Sequence, residues 1–213
     1  MKQFFYDPSL VLYLPLYQLD GASFMSRDAC GHLCAVTGAL WTPQGRYFDG
    51  VDDYINALHH ASLDCTAITV EVWTKISGYP ATDWTDFVCK GDYKGWGIRV
   101  LSSGELWATF GGTPNNKACR ISLTSSLDTW YHLAATDVVN GNIVPYLNGT
   151  MGTPVAMTTD TQFNSIHPVD IGTGKIVAVP YFKGLVGEVR IYSRALTPLE
   201  IQRNYLATKW RYQ

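Results

Sequence analysis

Apolar and polar positions alternate with a period of two along much of the chain, and this pattern predicts β-strands. In the segment "ITVEVWTKI" one side of the strand is aliphatic, with Ile68, Val70 and Val72. The opposite side carries Glu71, Trp73 and Lys75. Similar segments predict strands near residues 10–16, 46–49, 53–57, 67–76, 86–90, 96–101, 105–110, 119–123, 130–138, 142–147, 168–172 and 184–192.

Turn residues separate the predicted strands. Asn148-Gly149 predicts a tight hairpin because both residues tolerate positive φ, and "SSGEL" (102–106) predicts a second reversal. The stretches 20–45 and 150–167 show no clear period, and we expect loops there.

One helix is predicted near the end of the chain, in "LTPLEIQRNYL". Thr197 is a suitable N-cap, Pro198 suits the first helical position, and Glu200 completes a capping box.

Length and charge exclude several classes of protein. The chain has 213 residues and a formal net charge of −2, and it lacks a lysine or arginine run of the kind that nucleic-acid binders use. No apolar stretch is long enough for a transmembrane helix. The apolar start is interrupted by Asp7, Pro8 and Pro15, so it predicts a first strand and not a signal peptide. We therefore expect a chain made in the cytoplasm; its destination, a virus particle or the cell exterior, stays open.

Five cysteines cannot all pair within one chain: Cys30, Cys34, Cys65, Cys89 and Cys119. Cys30 and Cys34 flank His32, but a zinc site would need a second ligand pair at close spacing, and the sequence offers none. Free, partly buried thiols are expected, with a Cys30–Cys34 disulfide as the alternative.

A family resemblance extends over roughly residues 9–207. It is carried, in order, by "RYFDGVDDYIN", "AITVEVWTKI", "FVCKGD", "TWYHLAATDVVNGNIVPYLNG", "PVDIGTG" and "YFKGLVGEVRIYSRALTPLEI". These segments resemble laminin-G-like domains of the concanavalin A-like superfamily. The resemblance implies an all-β fold: a two-sheet antiparallel jelly-roll sandwich with one concave sheet and a short C-terminal helix. It also implies one domain over residues 1–213, with short terminal arms, "MKQFFY" and "TKWRYQ", outside the core.

The acidic turn "FDGVDDYI" is a candidate metal site, because Asp49, Asp52 and Asp53 offer the oxygen ligands that calcium prefers. Relatives in the family often bind a structural calcium with an aspartate from the last strand, and Gly187 stands at that position here. We therefore expect a strand corner first, in which the carboxylates accept backbone N–H bonds, and a calcium site second. No cofactor is required.

Aromatic residues on the polar sides of strands form a second candidate site. By strand parity Trp73, Trp107 and His132 should look out from a sheet together with Arg99, as a platform for a sugar ring or a protein partner. The alternative is a second small core that the long loops cover.

A third candidate site lies in the loops around "GYPATDWTDF" and "GDYKGWG". Its members are Trp84, Asp83, Asp86, Tyr93 and Trp96. A loop tryptophan beside carboxylates can stack on a sugar while the acids accept hydroxyl bonds, or it can anchor its own loop. Trp84 is the residue that we single out for binding.

Catalytic patterns are not found. Hydrolases of this superfamily carry Glu-x-Asp-x-x-Glu on one strand, whereas Glu71, Glu105, Glu188 and Glu200 each stand alone in their segments. We therefore expect a non-catalytic recognition module that binds a glycan or a surface protein. The alternative is a structural, fibre or tail component of a virus particle, whose partners are copies of itself or other particle proteins; a polysaccharide hydrolase or lyase ranks last.

Overall fold

The computed structural model describes residues 7–91, 95–111, 117–138, 141–156, 166–174 and 180–213. Tyr93, the arm 1–6 and most of the 157–167 segment lie outside the described residues. Among the helices that are described, none combines the length and the apolar character needed to cross a membrane.

The first sheet is antiparallel and holds both ends of the domain. Its strands follow the order β14-β13-β12-β7-β17-β5-β4, with β1 also paired to β17 and β15 to β13. Their bounds are β1 Leu10–Pro15, β4 Leu40–Thr42, β5 Gly45–Asp49, β7 Ala67–Gly78, β12 Trp130–Val138, β13 Asn142–Leu147, β14 Thr150–Met151, β15 Val155–Ala156 and β17 Lys183–Tyr192.

The second sheet is also antiparallel and lies against the first across the core. Its order is β11-β10-β9-β8-β16-β6-β3-β2. Its strands are β2 Ser23–Met25, β3 Leu33–Thr37, β6 Tyr54–Ala57, β8 Trp84–Lys90, β9 Trp96–Leu101, β10 Leu106–Phe110, β11 Lys117–Ser122 and β16 Val169–Ile171. The all-β sandwich that the sequence predicts is confirmed.

Aliphatic residues from alternate positions of both sheets meet in one core. Val70, Val72 and Leu133 point into it from the first sheet, and Ile98 and Ala108 point into it from the second. The parity that places Trp73 and His132 away from this core is therefore confirmed.

The expectation of a loop over 20–45 is wrong, because β2, β3 and β4 fall within it. These strands are three to five residues long and largely exposed. Since β2 and β4 are sheet edges, little apolar alternation is required of them, and the sequence pattern does not reveal them. In the described part of 150–167, β14 and β15 were missed for the same reason.

The predicted turns and helix are confirmed. Asn148 and Gly149 both have positive φ, at 50° and 75°. Helix α1 spans Pro198–Thr208, with Thr197 as N-cap and a complete capping box to Glu200. Ile201 of the helix, with Leu196 from the segment just before it, packs against Ala134, Tyr146 and Tyr192 on the outward face of the first sheet.

The C-terminal arm is part of the packed structure, contrary to its expected place outside the core. A 3-10 turn, Lys209–Arg211, follows α1 and carries Tyr212 back onto the first sheet. Tyr212 is 4% exposed because its ring stacks on Trp73, with centroids 4.4 Å apart.

Candidate functional site

Four strands of the second sheet align polar and aromatic side chains in one row. The pairing of β8, β9, β10 and β11 sets Asp86 opposite Arg99, Arg99 opposite Trp107, and Trp107 opposite Arg120. Residues directly opposite each other share a face of the sheet, so these four side chains are neighbours on the outward face.

Arg99 joins two of the sequence-predicted residues. Its Nε donates to Asp86 Oδ1 at 2.8 Å, and its guanidinium lies over the Trp84 indole, 5.1 Å from the ring centroid. The ion pair is largely buried, with side-chain exposures of 20% for Arg99 and 4% for Asp86. The pair therefore fixes Arg99 in place against Trp84.

Arg120 and Trp107 repeat this arrangement nearer the sheet edge. The Arg120 guanidinium lies 5.0 Å from the centroid of the Trp107 ring. Glu105 joins both, because its Oε2 accepts the Trp107 indole N–H at 3.2 Å and its Oε1 lies 3.5 Å from Arg120. We call Trp84, Arg99, Trp107 and Arg120 the indole–guanidinium row, with Asp86 and Glu105 as its carboxylates.

Glycine and loop contacts position the row. A Cβ on Gly97 would lie 2.8 Å from Asp86 Oδ1 and 3.1 Å from Arg99 Nη2, so only glycine leaves room for this ion pair. At the adjacent end of the sheet, Tyr79 donates its hydroxyl to Ser125 O at 2.6 Å, and Ser125 Oγ donates to Gly104 O at 2.7 Å. Three described loops are thus joined beside the row.

The row combines flat apolar surface with hydrogen-bonding groups of both kinds. Its two guanidinium charges are balanced by its two carboxylates, so it attracts no strong counter-charge. Trp84 and Trp107 are half-buried, and the Arg120 side chain is 45% exposed. Such a surface can stack a ring and pair with hydroxyls or amides, which suits a sugar or a peptide.

The prediction that this group lies in loops is wrong for Trp84, Asp86 and Trp96, which are on strands β8 and β9. The candidates other than Trp84 and Asp86 do not contribute to the row. Trp96 is 2% exposed and packs in the core, so it offers no binding surface. Asp83 is exposed at a turn with φ of 49°, next to Trp84. Tyr93 lies outside the described residues.

The platform expected from Trp73, Trp107, His132 and Arg99 is divided between the two sheets. Trp107 and Arg99 belong to the second sheet, whereas Trp73 and His132 lie on the first. Trp73 is 4% exposed and His132 is 1% exposed. The outward face of the first sheet thus matches the alternative prediction of a small second core. Helix α1 and the C-terminal arm cover this face, whereas the sequence predicted that the long loops would cover it. Strand parity gives the face of a residue and not the sheet to which it belongs, which explains the error.

Three charged residues that are far apart in the sequence, Glu71, Glu188 and Arg190, lie close together beneath α1. Arg190 lies beside both Glu188 and Glu71. The Asn204 Nδ2 group donates to Glu71 Oε1 and Oε2 at 3.1 and 3.2 Å and to the Tyr192 hydroxyl at 3.2 Å. Burial raises the pKa of Glu188 and the charge of Glu71 adds to the rise, whereas Arg190 opposes it. Glu71 and Glu188 stand alone in sequence because the contact joins β7 to β17, 117 positions apart in the numbering.

The acidic turn has the hydrogen bonds of a strand corner. Asp53 Oδ2 accepts the Asp49 N–H at 2.9 Å, and Asp49 Oδ1 accepts the Val51 N–H at 2.7 Å. Ligand oxygens of Asp49, Asp52 and Asp53 still lie within 4.8 Å of one another. Burial, and then the charges of Asp49 and Asp52, raise the pKa of Asp53.

Gly187, the position at which the family resemblance led us to look for an aspartate, lies against the C-terminal arm. It sits at an irregular position of β17, between Val186 and Glu188, and a Cβ there would lie 2.4 Å from the Tyr212 ring. The glycine thus makes room for the C-terminal arm.

All five cysteines are free thiols, and only Cys30 is exposed. Asp28, Cys30 and His32 place possible metal ligands within 4.8 Å of one another. Asp28 is already engaged, because it accepts the backbone N–H groups of Tyr13, Cys30 and Gly31. These hydrogen bonds are those of a turn, and they explain why Asp28, Cys30 and His32 lie close together.

Comparison with known proteins identifies related folds. A laminin-G family model, described as the concanavalin A-like lectin/glucanases superfamily, matches residues 49–202. No curated protein matches the chain.

Solved structures show the same fold at low sequence identity. The binding domain of botulinum neurotoxin serotype G has a TM-score of 0.76 and 13% identity, covering 93% of this chain and 51% of that chain. The binding domain of paraclostridial mosquitocidal protein 1 has a TM-score of 0.74 and 15% identity, covering 93% and 52%. A Trypanosoma rangeli sialidase in complex with 2,3-difluorosialic acid has a TM-score of 0.76 and 17% identity, covering 96% and 34%. The chain thus spans about half, or a third, of the length of these structures, and the likeness concerns the fold alone.

Proposed function

The chain belongs to the concanavalin A-like lectin/glucanase superfamily, and from this premise we propose that it is a non-catalytic recognition module for a glycan or a surface protein. The proposed contact surface is the outward face of the second sheet with the loops at its Trp84 end. The partner approaches from solvent onto the indole–guanidinium row.

The observation that carries the proposal is the convergence of two tryptophan–arginine stacks on one accessible face. Each arginine is held flat on an indole and tied to a carboxylate, so the row is ordered before any ligand arrives. Binding to a preorganised surface loses less side-chain entropy than binding to mobile side chains. The Arg120–Glu105 pair, with side-chain exposures of 45% and 24%, is of the kind that contributes little to folding, which favours a role in recognition for this part of the row.

The solved neighbours support a binding role by analogy. Two of them are binding domains of toxins, and a botulinum neurotoxin serotype D ligand-binding domain was solved in complex with N-acetylneuraminic acid. A recognition role for this chain agrees with these neighbours. The proposed ligand class, in contrast, is argued only from the side chains of the row.

The test compares binding of the purified chain and its variants to a panel of soluble polysaccharides by calorimetry. We expect Trp84→Ala to weaken binding about tenfold or more, because one good stacking contact contributes about 1.4 kcal/mol. Trp41→Ala is the matched control, since Trp41 is also partly exposed, at 40%, but lies on β4 of the other sheet. Unchanged affinity in Trp84→Ala, with binding intact in the control, would remove Trp84 from the site.

A second candidate function is that of a structural component of a virus particle. Three large apolar side chains are exposed along α1 and the following turn: Leu199 at 76%, Leu206 at 50% and Trp210 at 68%. They are separated by seven and four positions, which places them on one side of the helix and suits packing against another copy. In this role the chain would be made in the cytoplasm and then assembled into the particle.

Light scattering separates the two functions. Assembly predicts a defined oligomer that dissociates when Leu206 and Trp210 are both replaced by serine. A monomer at high concentration would leave recognition as the function.

A further inference from the structure

The C-terminal Tyr212 lies in an aromatic slot on the outward face of the first sheet. Its ring stacks on Trp73 at 4.4 Å and 25°, and it meets Trp130 at 4.6 Å and 49°. The third side is the backbone of Gly187, where a Cβ would come within 2.4 Å of the Tyr212 ring. We call the space bounded by Trp73, Trp130 and Gly187 the Tyr212 slot.

Polar groups adjoin this slot on the Gly187 side. Glu188 follows Gly187 directly and accepts a hydrogen bond from the Tyr13 hydroxyl at 3.4 Å. Arg190 pairs with the same carboxylate. Glu188 is paired directly with Trp73 across β17 and β7, so its side chain shares the face of the Trp73 ring. Burial and then the charge of Glu188 raise the pKa of Tyr212.

The C-terminal arm fills the slot imperfectly. The Tyr212 hydroxyl and Arg211 Nε are buried, yet neither finds a hydrogen-bond partner among the described residues. A buried polar atom without a partner costs free energy that its release to water returns. A ligand whose hydroxyls reach Glu188 would not bear this cost, and could therefore replace the arm.

Release of the arm would leave the rest of the face in place. The Trp73 indole N–H donates to Thr208 Oγ1 at 2.9 Å, and Asn204 holds Glu71, so both contacts belong to helix α1 and not to the arm. Only the 3-10 turn and Tyr212 would have to move, and that turn has no side-chain cap at its start.

We propose that the Tyr212 slot is a second binding site, which takes a hydroxylated six-membered ring such as a hexopyranose and is occupied by the chain's own Tyr212 until the sugar displaces it. The indoles of Trp73 and Trp130 stack on the apolar face of the sugar, and Glu188 accepts a hydroxyl bond. The site lies on the opposite sheet from the indole–guanidinium row, so it stands or falls independently of the proposed function.

The test titrates the full chain, labelled with 5-fluorotryptophan, with the methyl glycosides of glucose, galactose and mannose. Fluorine NMR follows Trp73 and Trp130, whose signals are assigned by phenylalanine substitution. We expect Tyr212→Ala to bind at least one glycoside about tenfold more tightly than the natural chain, because the competing ring is gone. Trp41→Ala is the matched control: it removes an exposed aromatic ring from β4, at the edge of the same sheet and outside the arm, and should leave the affinity unchanged. Adding Trp130→Ala to Tyr212→Ala should abolish the response.

A second variant keeps the test decisive if Tyr212→Ala unfolds. Tyr212→Phe removes only the unpartnered hydroxyl, so the arm should hold the slot more firmly, and this variant should bind the glycosides several-fold more weakly than the natural chain does. Equal affinities in the natural chain and Tyr212→Phe would overturn the proposal, as would a folded Tyr212→Ala that binds none of the glycosides. Loss of the response in Trp84→Ala would place these sugars at the other sheet, and would overturn it too.

Discussion

Asp137 is a single residue whose environment conflicts with its charge. It is fully buried. Among the described residues, its Oδ1 accepts one hydrogen bond, from the neighbouring Val138 N–H at 2.8 Å, and its Oδ2 has no partner. Burial raises the pKa of Asp137 from 3.8 to about 7, against the lowering effect of that one bond. The folded chain therefore keeps a proton that the unfolded chain releases at lower pH.

This shift sets the sign of a pH dependence. With the pKa raised in the folded state, stability is fully present below about pH 4 and is lost as the pH rises towards 7. We expect Asp137 to reduce the free energy of unfolding by about 2 to 3 kcal/mol between pH 5 and pH 8, as measured by urea denaturation. Asp137→Asn should remove this slope, whereas the exposed Asp83→Asn should keep it. An unchanged slope in Asp137→Asn would show that another group titrates.

The acidic turn of Asp49, Asp52 and Asp53 gives a second prediction at this scale. Because backbone N–H groups already occupy oxygens of Asp49 and Asp53, we propose that the turn is a strand corner that folds without calcium. The melting temperature should then be the same in millimolar calcium and in a chelator. A rise of more than about 2 °C with calcium would instead indicate a bound ion, because a ligand of the native state stabilises it by mass action.

Helix α1 is the element that the sequence predicts best, and its capping box is the reason. Thr197 Oγ1 accepts the Glu200 N–H at 3.3 Å, and Glu200 accepts the Thr197 N–H at 2.8 Å. Glu200 also pairs with Arg194, which lowers the pKa of Glu200 to about 2. The local signals Thr-Pro-x-Glu suffice to place the helix start.

Replacing the N-cap residue tests how much the start of α1, which covers the outward face of the first sheet, contributes to the free energy of unfolding. Thr197→Ala should lower the free energy of unfolding by about 1 kcal/mol, the usual cost of losing a threonine N-cap. Thr82→Ala, at an exposed loop position, should change it by less than about 0.5 kcal/mol. If both variants unfold at the same urea concentration as the natural chain, the capping box contributes nothing to stability.

Strands were predictable where they have two contrasting faces. β7, β12 and β13 alternate clearly, and their predicted bounds agree with the structure within about two residues. β2, β3 and β4 were missed because short, exposed strands near sheet edges bury few side chains. Local pattern also could not predict that Arg99 lies between Trp84 and Trp107, since that contact depends on how β8, β9 and β10 pair. The sequence therefore predicted Trp84, Asp86, Arg99 and Trp107 as candidate binding residues, but it did not predict that they lie side by side.

At the scale of the molecule, the outward faces of the two sheets differ. The first is covered by α1 and the C-terminal arm, which bury Trp73 and His132. The second presents Trp84, Trp107 and Arg120 at its outer surface. An aromatic face that a protein leaves partly open and orders with ion pairs fits a binding surface.

Hydroxyl-radical footprinting of the tryptophans, with and without a polysaccharide or receptor that the chain binds, tests this account most directly. If the indole–guanidinium row is the binding surface, the ligand should protect Trp84 and Trp107 from oxidation, while the exposed Trp41 and Trp210 are oxidised as in the free chain. Equal oxidation of Trp84 and Trp107 in the free and bound chain would contradict it and place the ligand elsewhere.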